Sequence, residues 1–395
     1  MDMEFFAEAL ADICACSLVE PGRPLVWTII ANPSAGGFTI KSRWKKHRAI
    51  LEQYRQKAQG NPVRADSRPS DTVRQPGLVS SRNAAQAGTS SAFSSGLILT
   101  ERAGHGGEIA GALVTEAATA LASCENAAKK EMPFYLFITA GGDGTSREVL
   151  SALYNAPRRV RENAAVLRLP MGTGNDGADA PELDGALDLL VNPVNVENTA
   201  ALRLVTAPGG PAISSGPFLA FNILSVGLDA FVTHMTNRMK GKLPGDSYKL
   251  WVDIAALLYD RLYTVGFMDV KALDEHFAEV TSFREKILLL AVGVSGNRTY
   301  GSRKKILPDE RNVCALRQMS LLRKLALKEL FNTGEHVTKP ESILFNAHRV
   351  EFSAEHPVLA QMDGETVLLQ REDFPAAIEL TGKVIPVLKR ALPES

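Results

Sequence analysis

The chain groups its apolar positions into short runs that end in glycine-rich turns. Leu25 to Ala31 is an apolar, β-branched run stopped by Asn32-Pro33-Ser34-Ala35-Gly36-Gly37. That pattern predicts a strand and a tight turn. Residues 41–58 are helix formers with a basic start, so a helix follows. Leu97 to Thr100 predicts a short strand before a helix over roughly 106–130. Tyr135 to Thr139 predicts a buried strand, with Gly141, Gly142 and Gly144 in its turn and a helix from Ser146. The run AAVLRLPMGTGND repeats the plan before a helix near 182–190. Repeated strand–loop–helix units imply a mainly parallel sheet, whose ligands bind beyond the carboxyl ends of the strands.

Two stretches break this pattern. The first 20 residues read as a short amphipathic helix or a loose arm. From 60 to 96 no period survives among Ser, Ala, Gly, Pro and Arg, the signature of a disordered insertion. After about residue 198 the runs AALRLVT, GPFLAFNILSVG, REKILLLAVGVSG, HRVEFSA and TVLLQ are strand-like, with helices near 246–260 and 320–332. The expected organisation is an arm over 1–21, an α/β domain over 22–195 and an antiparallel β-rich domain over 196–378. The segment 379–395 is then free to return to the first domain. The fold class is α/β plus all-β.

Composition narrows the function. The chain has 395 residues, with 44 Lys plus Arg balanced by 44 Asp plus Glu. A neutral chain lacks the basic footprint of a general nucleic-acid binder. No apolar run approaches the roughly 18 residues of a membrane-spanning helix. The acidic start MDMEFFAEALADICACSLVE has no basic region typical of a secretory signal. Cys14, Cys16, Cys124 and Cys314 are too few for a disulfide scaffold and fit a reducing, cytoplasmic setting. Zero net charge is an average, however. Basic clusters stand at Lys41–Arg48, at Arg238, Lys240 and Lys242, and at Arg303–Lys305.

The glycine turns carry the chemistry. Glycines after a strand let a ligand approach backbone N–H groups, and such nests favour phosphate oxygens. In Gly141-Gly142-Asp143-Gly144-Thr145, three glycines surround one acid. A bare turn needs no acid, and an exposed Asp143 there suits Mg²⁺ coordination or proton abstraction from a hydroxyl. Pro170-Met171-Gly172-Thr173-Gly174-Asn175-Asp176 completes a phosphate-handling rim. Gly172, Gly174 and Gly177 also spell G-x-G-x-x-G, but that string sits late in the chain and no long helix follows at once, against a dinucleotide site. The P-loop and nucleophile-elbow strings are absent, and the histidines show no metal-ligand spacing.

In this order the motifs NPSAGG, TERAGHGGEIA, AGGDGTSREVL, PMGTGND, FNILSVGLDA and MDGE resemble the diacylglycerol kinase catalytic-domain family, including bacterial lipid kinases and sphingosine kinases. The resemblance implies a phosphofructokinase/NAD-kinase-like nucleotide domain, a C-terminal antiparallel β-sandwich and a site in the cleft between them. It assigns Asn32, Pro33, Gly36, Thr100, Gly141, Gly142, Gly144, Thr145, Gly172, Thr173, Gly174 and Asn175 to ATP. Asp143 and Asp176 are assigned to Mg²⁺. Asp143 and Glu365 are the implied catalytic acids, and Asp229 a contact to the lipid head group or a structural cap. The implied activity is an ATP-dependent lipid kinase acting on diacylglycerol or a sphingoid-type lipid. Such an enzyme is cytoplasmic and compatible with peripheral contact at the inner membrane face and with a homodimer. The alternatives are a phosphotransferase with a soluble acceptor, as in NAD kinase, and a catalytically silent nucleotide- or lipid-binding protein.

The chain departs from the family pattern in three places. An Asp-Gly pair is missing from Pro308 to Leu316, an acid is replaced near Arg203-Leu204-Val205, and Gly177 replaces a Phe. The helix expected over 319–331 carries a leucine stripe beside Arg323, Lys324 and Lys328. Packing on its own domain is the expected use of that stripe.

Overall fold

The computed structural model describes residues 2–59, 95–124, 127–172, 174–212, 218–239, 259, 264–301 and 304–391. The expected insertion over 60–96 and the helix expected near 246–260 lie almost wholly outside these residues. The chain divides into two compact units, Met1–Thr199 with Lys383–Ser395, and Ala200–Gly382.

The first unit is built on a six-stranded sheet. Its strands are β1 (Leu25–Ala31), β2 (Gly96–Leu99), β3 (Phe134–Gly141), β4 (Ala164–Pro170), β5 (Val194–Thr199) and the last strand of the chain, β19 (Ile385–Arg390). Their order is β2-β1-β3-β4-β19-β5. The first four strands in that order are parallel, as the repeated units require. β19 lies parallel to β4 and antiparallel to β5. Every residue of β3 and β4 is buried, which explains their unbroken apolar runs.

Helices α1 (Met3–Ala15), α2 (Gly36–Thr39), α3 (Lys41–Gln59), α4 (His105–Ser123), α5 (Asp143–Tyr154), α6 (Arg158–Arg161) and α7 (Leu183–Val191) join or cover this sheet. The N-terminal residues take the helical option, as part of the core rather than as a loose arm. Asp2 caps α1 by accepting the Phe5 N–H at 2.9 Å. Phe6, Leu10 and Ile13 recur at helical spacing and are fully buried. Phe6 meets Phe38 edge to face with ring centres 5.0 Å apart. Burial also claims Cys14, while Cys16 donates its thiol to the Ala58 carbonyl at 3.4 Å, so the pair is not assembled as a metal site.

The second unit is antiparallel. Its strands are β6 (Leu202–Val205), β7 (Phe218–Ala220), β8 (Ile223–Gly227), β9 (Phe267–Leu273), β10 (Glu279–Gly293), β11 (Arg298–Tyr300), β12 (Lys304–Leu307), β13 (Val313–Arg317), β14 (Ser342–Phe345), β15 (Arg349–Ala354), β16 (Val358–Met362), β17 (Glu365–Leu369) and β18 (Ala376–Leu380). Eleven of them form one sheet, in the order β17-β16-β8-β10-β9-β15-β18-β6-β7, with β13 on β10 and β14 on β13. β10 makes this possible. Its first half pairs with β9; its second half, wholly buried, pairs with β8 and β13. A bulge between Ile287 and Leu289 marks the change of partner. The sheet curls into a half-barrel whose two halves share one core, including Leu224, Val226, Val270, Leu290, Phe352 and Ile378. The expected sandwich is thus a single sheet folded over its own apolar face.

The leucine stripe behaves differently from expectation. In the helix Leu321–Lys328, Leu321, Leu322 and Leu325 are 40, 79 and 45% exposed, while Lys324 is buried. Arg323 forks onto Glu341 at 2.6 and 3.0 Å, which fixes the helix with its leucines outward. No helix among the described residues is long and apolar enough to cross a membrane.

The burial of α1 has a measurable consequence. Phe6→Ala is expected to lower the unfolding free energy by about 3–5 kcal/mol, the usual cost of emptying a fully buried aromatic site. Urea denaturation followed by circular dichroism reads this, and a loss below about 1 kcal/mol would mean that α1 is detachable.

Candidate functional site

Parallel register sets the site. Ala31 stands beside Leu99 on one side and Ala140 on the other, and Gly141 stands beside Pro170. The residues that follow these strand ends therefore leave the sheet along one edge. The Asn32 N–H donates to the Ala140 carbonyl at 3.0 Å, and the Thr100 N–H to the Ala31 carbonyl at 2.8 Å. Thr100 is itself buried. Gly141 ends β3, and Asn32, Pro33, Gly36, Thr100, Gly142, Asp143, Gly144, Thr145, Gly172, Gly174, Asn175 and Asp176 belong to the loops and helix starts of this edge. Thr173 lies outside the described residues.

The turns are fastened to one another. The Asn32 side chain accepts the Ser34 N–H at 2.9 Å, and the Ala35 N–H reaches the Asn32 carbonyl at 3.0 Å, closing the first turn. The Gly37 N–H then crosses to the Met171 carbonyl at 2.7 Å. Between the second and third turns the contact is backbone on backbone. A β-carbon built on Gly172 would lie 2.4 Å from the α-carbon of Gly142. Asn175, in the left-handed region at φ +58°, accepts the Gly172 N–H at 2.6 Å and donates to the Pro170 carbonyl at 3.1 Å. Its side chain staples its own loop.

Asp143 sits lower than the sequence suggested. The helix begins at Asp143 and not at Ser146, because Gly142 already serves as the extended N-cap residue. Asp143 is thus the first residue of α5, where a negative side chain is favoured. It is half-buried rather than exposed on a bare turn. One oxygen, Oδ1, accepts the Gly177 N–H at 2.9 Å. The other, Oδ2, lies beside Gly174, as does Oδ2 of Asp176: a β-carbon on Gly174 would be 3.2 and 3.3 Å from them. Burial holds the Asp143 carboxyl above the usual carboxylate range; the Gly177 N–H opposes this and the charge of Asp176 adds to it.

Two converging carboxylates suit Mg²⁺, which ordinarily keeps one or two protein carboxylates and fills its shell with phosphate oxygens and water. Among the described residues no group of three or more His, Cys, Asp or Glu is gathered for a metal ion. The pair therefore fits an ion that arrives with a phosphorylated ligand better than an all-protein cage.

Several supporting residues escaped the sequence reading. Glu148 of α5 accepts the N–H groups of Gly104 and Gly106 at 2.7 and 2.9 Å, tying the start of α4 to α5. A buried ion pair joins Arg168 to Asp179 at 2.6 Å, and Asp179 also accepts the Arg168 N–H at 2.7 Å. Arg43 of α3 donates to the Gly172 carbonyl at 3.2 Å. Only the joint presence of Glu in one glycine motif and bare glycines in another hinted at the first of these contacts.

The remaining acids belong to the second unit. Asp363 and Gly364, at φ +46° and +100°, form the two-residue turn between β16 and β17. The Asp363 carboxylate accepts the N–H groups of Asn222 and Ile223 at 3.1 Å each, and that of Phe221. It is a fastener between hairpin and β8. Glu365, next in sequence, is exposed. Asp229 opens helix α8 (Leu228–Met239) and accepts the Ser225 hydroxyl at 2.7 Å. Gln361 joins the two places: its amide nitrogen donates to Ser225 Oγ at 2.9 Å and Asp229 Oδ2 at 3.4 Å, and its oxygen accepts the Gly364 N–H at 3.1 Å. Where the family pattern expects further acids, internal pairs stand instead. Arg311 forks onto Asp309 at 3.0 and 2.5 Å, and Arg203 donates to Glu379 at 2.7 Å.

Comparison with known proteins agrees with the motifs. Residues 84–206 match the model of the diacylglycerol kinase catalytic domain. The chain is similar to the diacylglycerol kinase and lipid kinase family. A Bacillus subtilis (strain 168) protein named diacylglycerol kinase is 26% identical over 272 residues, covering 64% of this chain and 78% of that one. A Yersinia pestis (strain Pestoides F) protein named "Probable lipid kinase YegS-like" is 26% identical over 243 residues, covering 55% and 73%. Among solved structures, a Bacillus anthracis str. Sterne protein described as "a putative diacylglycerol kinase" aligns with a TM-score of 0.52 at 15% identity, over 91% of this chain and 94% of that one. At that identity the structural match speaks to fold alone, and the fold it supports is the expected α/β unit followed by a β-rich one.

Two outcomes follow from this geometry. Gly172→Ala is expected to cost about 1–3 kcal/mol in urea unfolding, because the methyl group meets backbone and the turns must part. Asp143 has a folded pKa above its unfolded one, so its protonated form stabilises the fold; that contribution is complete below the unfolded value and is lost as pH rises through the folded value. Asp143→Asn is therefore expected to melt above the parent protein at neutral pH and to converge with it near pH ~4, measured by calorimetry across pH.

Proposed function

We propose that this protein is an ATP- and Mg²⁺-dependent lipid kinase that phosphorylates a hydroxyl of diacylglycerol or a sphingoid-type lipid. One observation carries the reading: the half-buried Asp143 carboxylate at the junction of three interlocked glycine turns, with Asp176 beside it. Phosphoryl transfer asks mainly for positioning and charge neutralisation. Backbone N–H groups around Gly36, Gly141 and Gly142 are the proposed cradle for the triphosphate. Asp176 would hold Mg²⁺, which when bound neutralises phosphate charge, and Oδ2 of Asp143 is then left for the proton.

Asp143 Oδ2 is the proposed proton acceptor, since Oδ1 is engaged by the Gly177 N–H. As the acceptor hydroxyl oxygen bonds to the γ-phosphorus, the bond from that phosphorus to the β–γ bridging oxygen breaks and the hydroxyl proton passes to Asp143. A carboxyl raised by burial is better matched to that task than an ordinary surface aspartate. From the second unit, Glu365 and Asp229 are the acids to which the resemblance assigns a role. The diacylglycerol and lipid kinase relatives support the lipid acceptor.

The test is an acceptor screen with purified protein, Mg²⁺ and labelled ATP against diacylglycerol, sphingosine and NAD. Phosphorylated lipid is the expected product, and phosphorylated NAD alone would replace the lipid reading. Asp143→Asn should lower turnover by about 10²- to 10⁴-fold, the range for removal of a general base. Turnover close to the parent's would exclude Asp143 from the chemistry.

A further inference from the structure

We infer that Arg43 is a phosphate-binding residue of this site, supplying the positive charge that the glycine turns lack. The inference rests on the nucleotide-binding reading above and adds a residue to it. The charge balance at the turns is unfavourable for a polyphosphate. Asp143 and Asp176 bring two carboxylates to Gly174. The nearby cation Arg168 is committed to Asp179 in a buried pair, its guanidinium donating at 2.6 and 3.2 Å. Backbone N–H dipoles alone would have to hold a highly anionic ligand beside two acids.

Arg43 resolves this. It lies in the first turn of α3, the helix that follows the Asn32–Gly37 turn. Its Nη1 donates to the carbonyl of Gly172, the residue pressed against Gly142. One bond to a neutral acceptor fixes the guanidinium at the meeting point of the three turns without neutralising it. Among the described residues no carboxylate pairs with Arg43, whereas its neighbours Lys46 and Arg48 are committed to Glu182 and to Asp2 and Glu52. A guanidinium has five N–H donors, so several remain, in the planar arrangement that suits phosphate. The side chain is half-buried, which limits screening by water. His47, one turn further along α3, is buried against Gly37 and kept neutral chiefly by that burial, so it does not compete for the role.

A purely structural Arg43 would merely steady Gly172, and loss of it would weaken all nucleotides alike. A phosphate-binding Arg43 makes affinity depend on the number of phosphates. The experiment measures binding of fluorescent ATP, ADP and AMP analogues, with Mg²⁺, to the parent chain, Arg43→Ala and Arg43→Lys, alongside melting temperatures. Arg43→Ala is expected to weaken ATP by about 10- to 100-fold, as for loss of charge-assisted hydrogen bonds, and AMP by less than about 3-fold. Arg43→Lys should recover part of the ATP affinity. Unchanged ATP affinity in Arg43→Ala, or equal weakening of ATP and AMP, would overturn the inference while leaving the kinase reading intact. A parent protein that binds none of the three nucleotides would overturn both.

Discussion

Gly142 and Gly172 touch through their backbones, and the geometry of the candidate site depends on that contact. A β-carbon on Gly172 would run into the Gly142 α-carbon, whereas one on Gly142 would only reach ordinary contact with Gly172, so the constraint falls on Gly172. The two turns are thereby held at the spacing of adjacent parallel strands, and the Gly37 N–H bond to Met171 brings in the third. A larger residue at the contact would separate the turns before it altered any functional side chain. The glycines thus act through exclusion of volume as much as through backbone freedom.

Charge is managed with similar economy. Burial holds the Asp143 carboxyl above the usual range, even though peptide N–H groups, that of Gly177 among them, and the charge of Arg168 favour its ionised form. The Arg168 guanidinium is engaged by Asp179, donating twice to its Oδ1. A carboxylate kept partly out of water in this way costs the fold stability whenever it is ionised. Arg43 stands at the rim with its charge uncommitted, on the opposite side of the balance.

The second unit shows the same preference for fixing backbone with buried acids. Asp363 spends its carboxylate on three successive N–H groups at Phe221–Ile223, so the acid in the MDGE motif is structural and leaves Glu365 as the exposed member. Gln361 carries that order on to Asp229 and Ser225 through one side chain. Two arginines of this unit pair internally, Arg311 with Asp309 and Arg203 with Glu379.

Local pattern alone determined much of this protein. Apolar runs ending in glycines identify β1, β3 and β4, and their repetition implies a parallel sheet with ligands at one edge. Glycine and acid positions mark the rim because they gather in short motifs directly after the apolar runs. Tertiary structure decided what depends on distant partners. Whether Phe6 is core or arm rests on Phe38, and whether Leu322 is buried rests on an ion pair between Arg323 and Glu341. The depth of Asp143, the commitment of Arg168 and the placement of Arg43 beside Gly172 follow from contacts 11 to 129 residues apart along the chain. Sequence period reports which face of an element is apolar. It is silent on which charged group meets which, because a salt bridge or an N–H contact leaves no periodic trace.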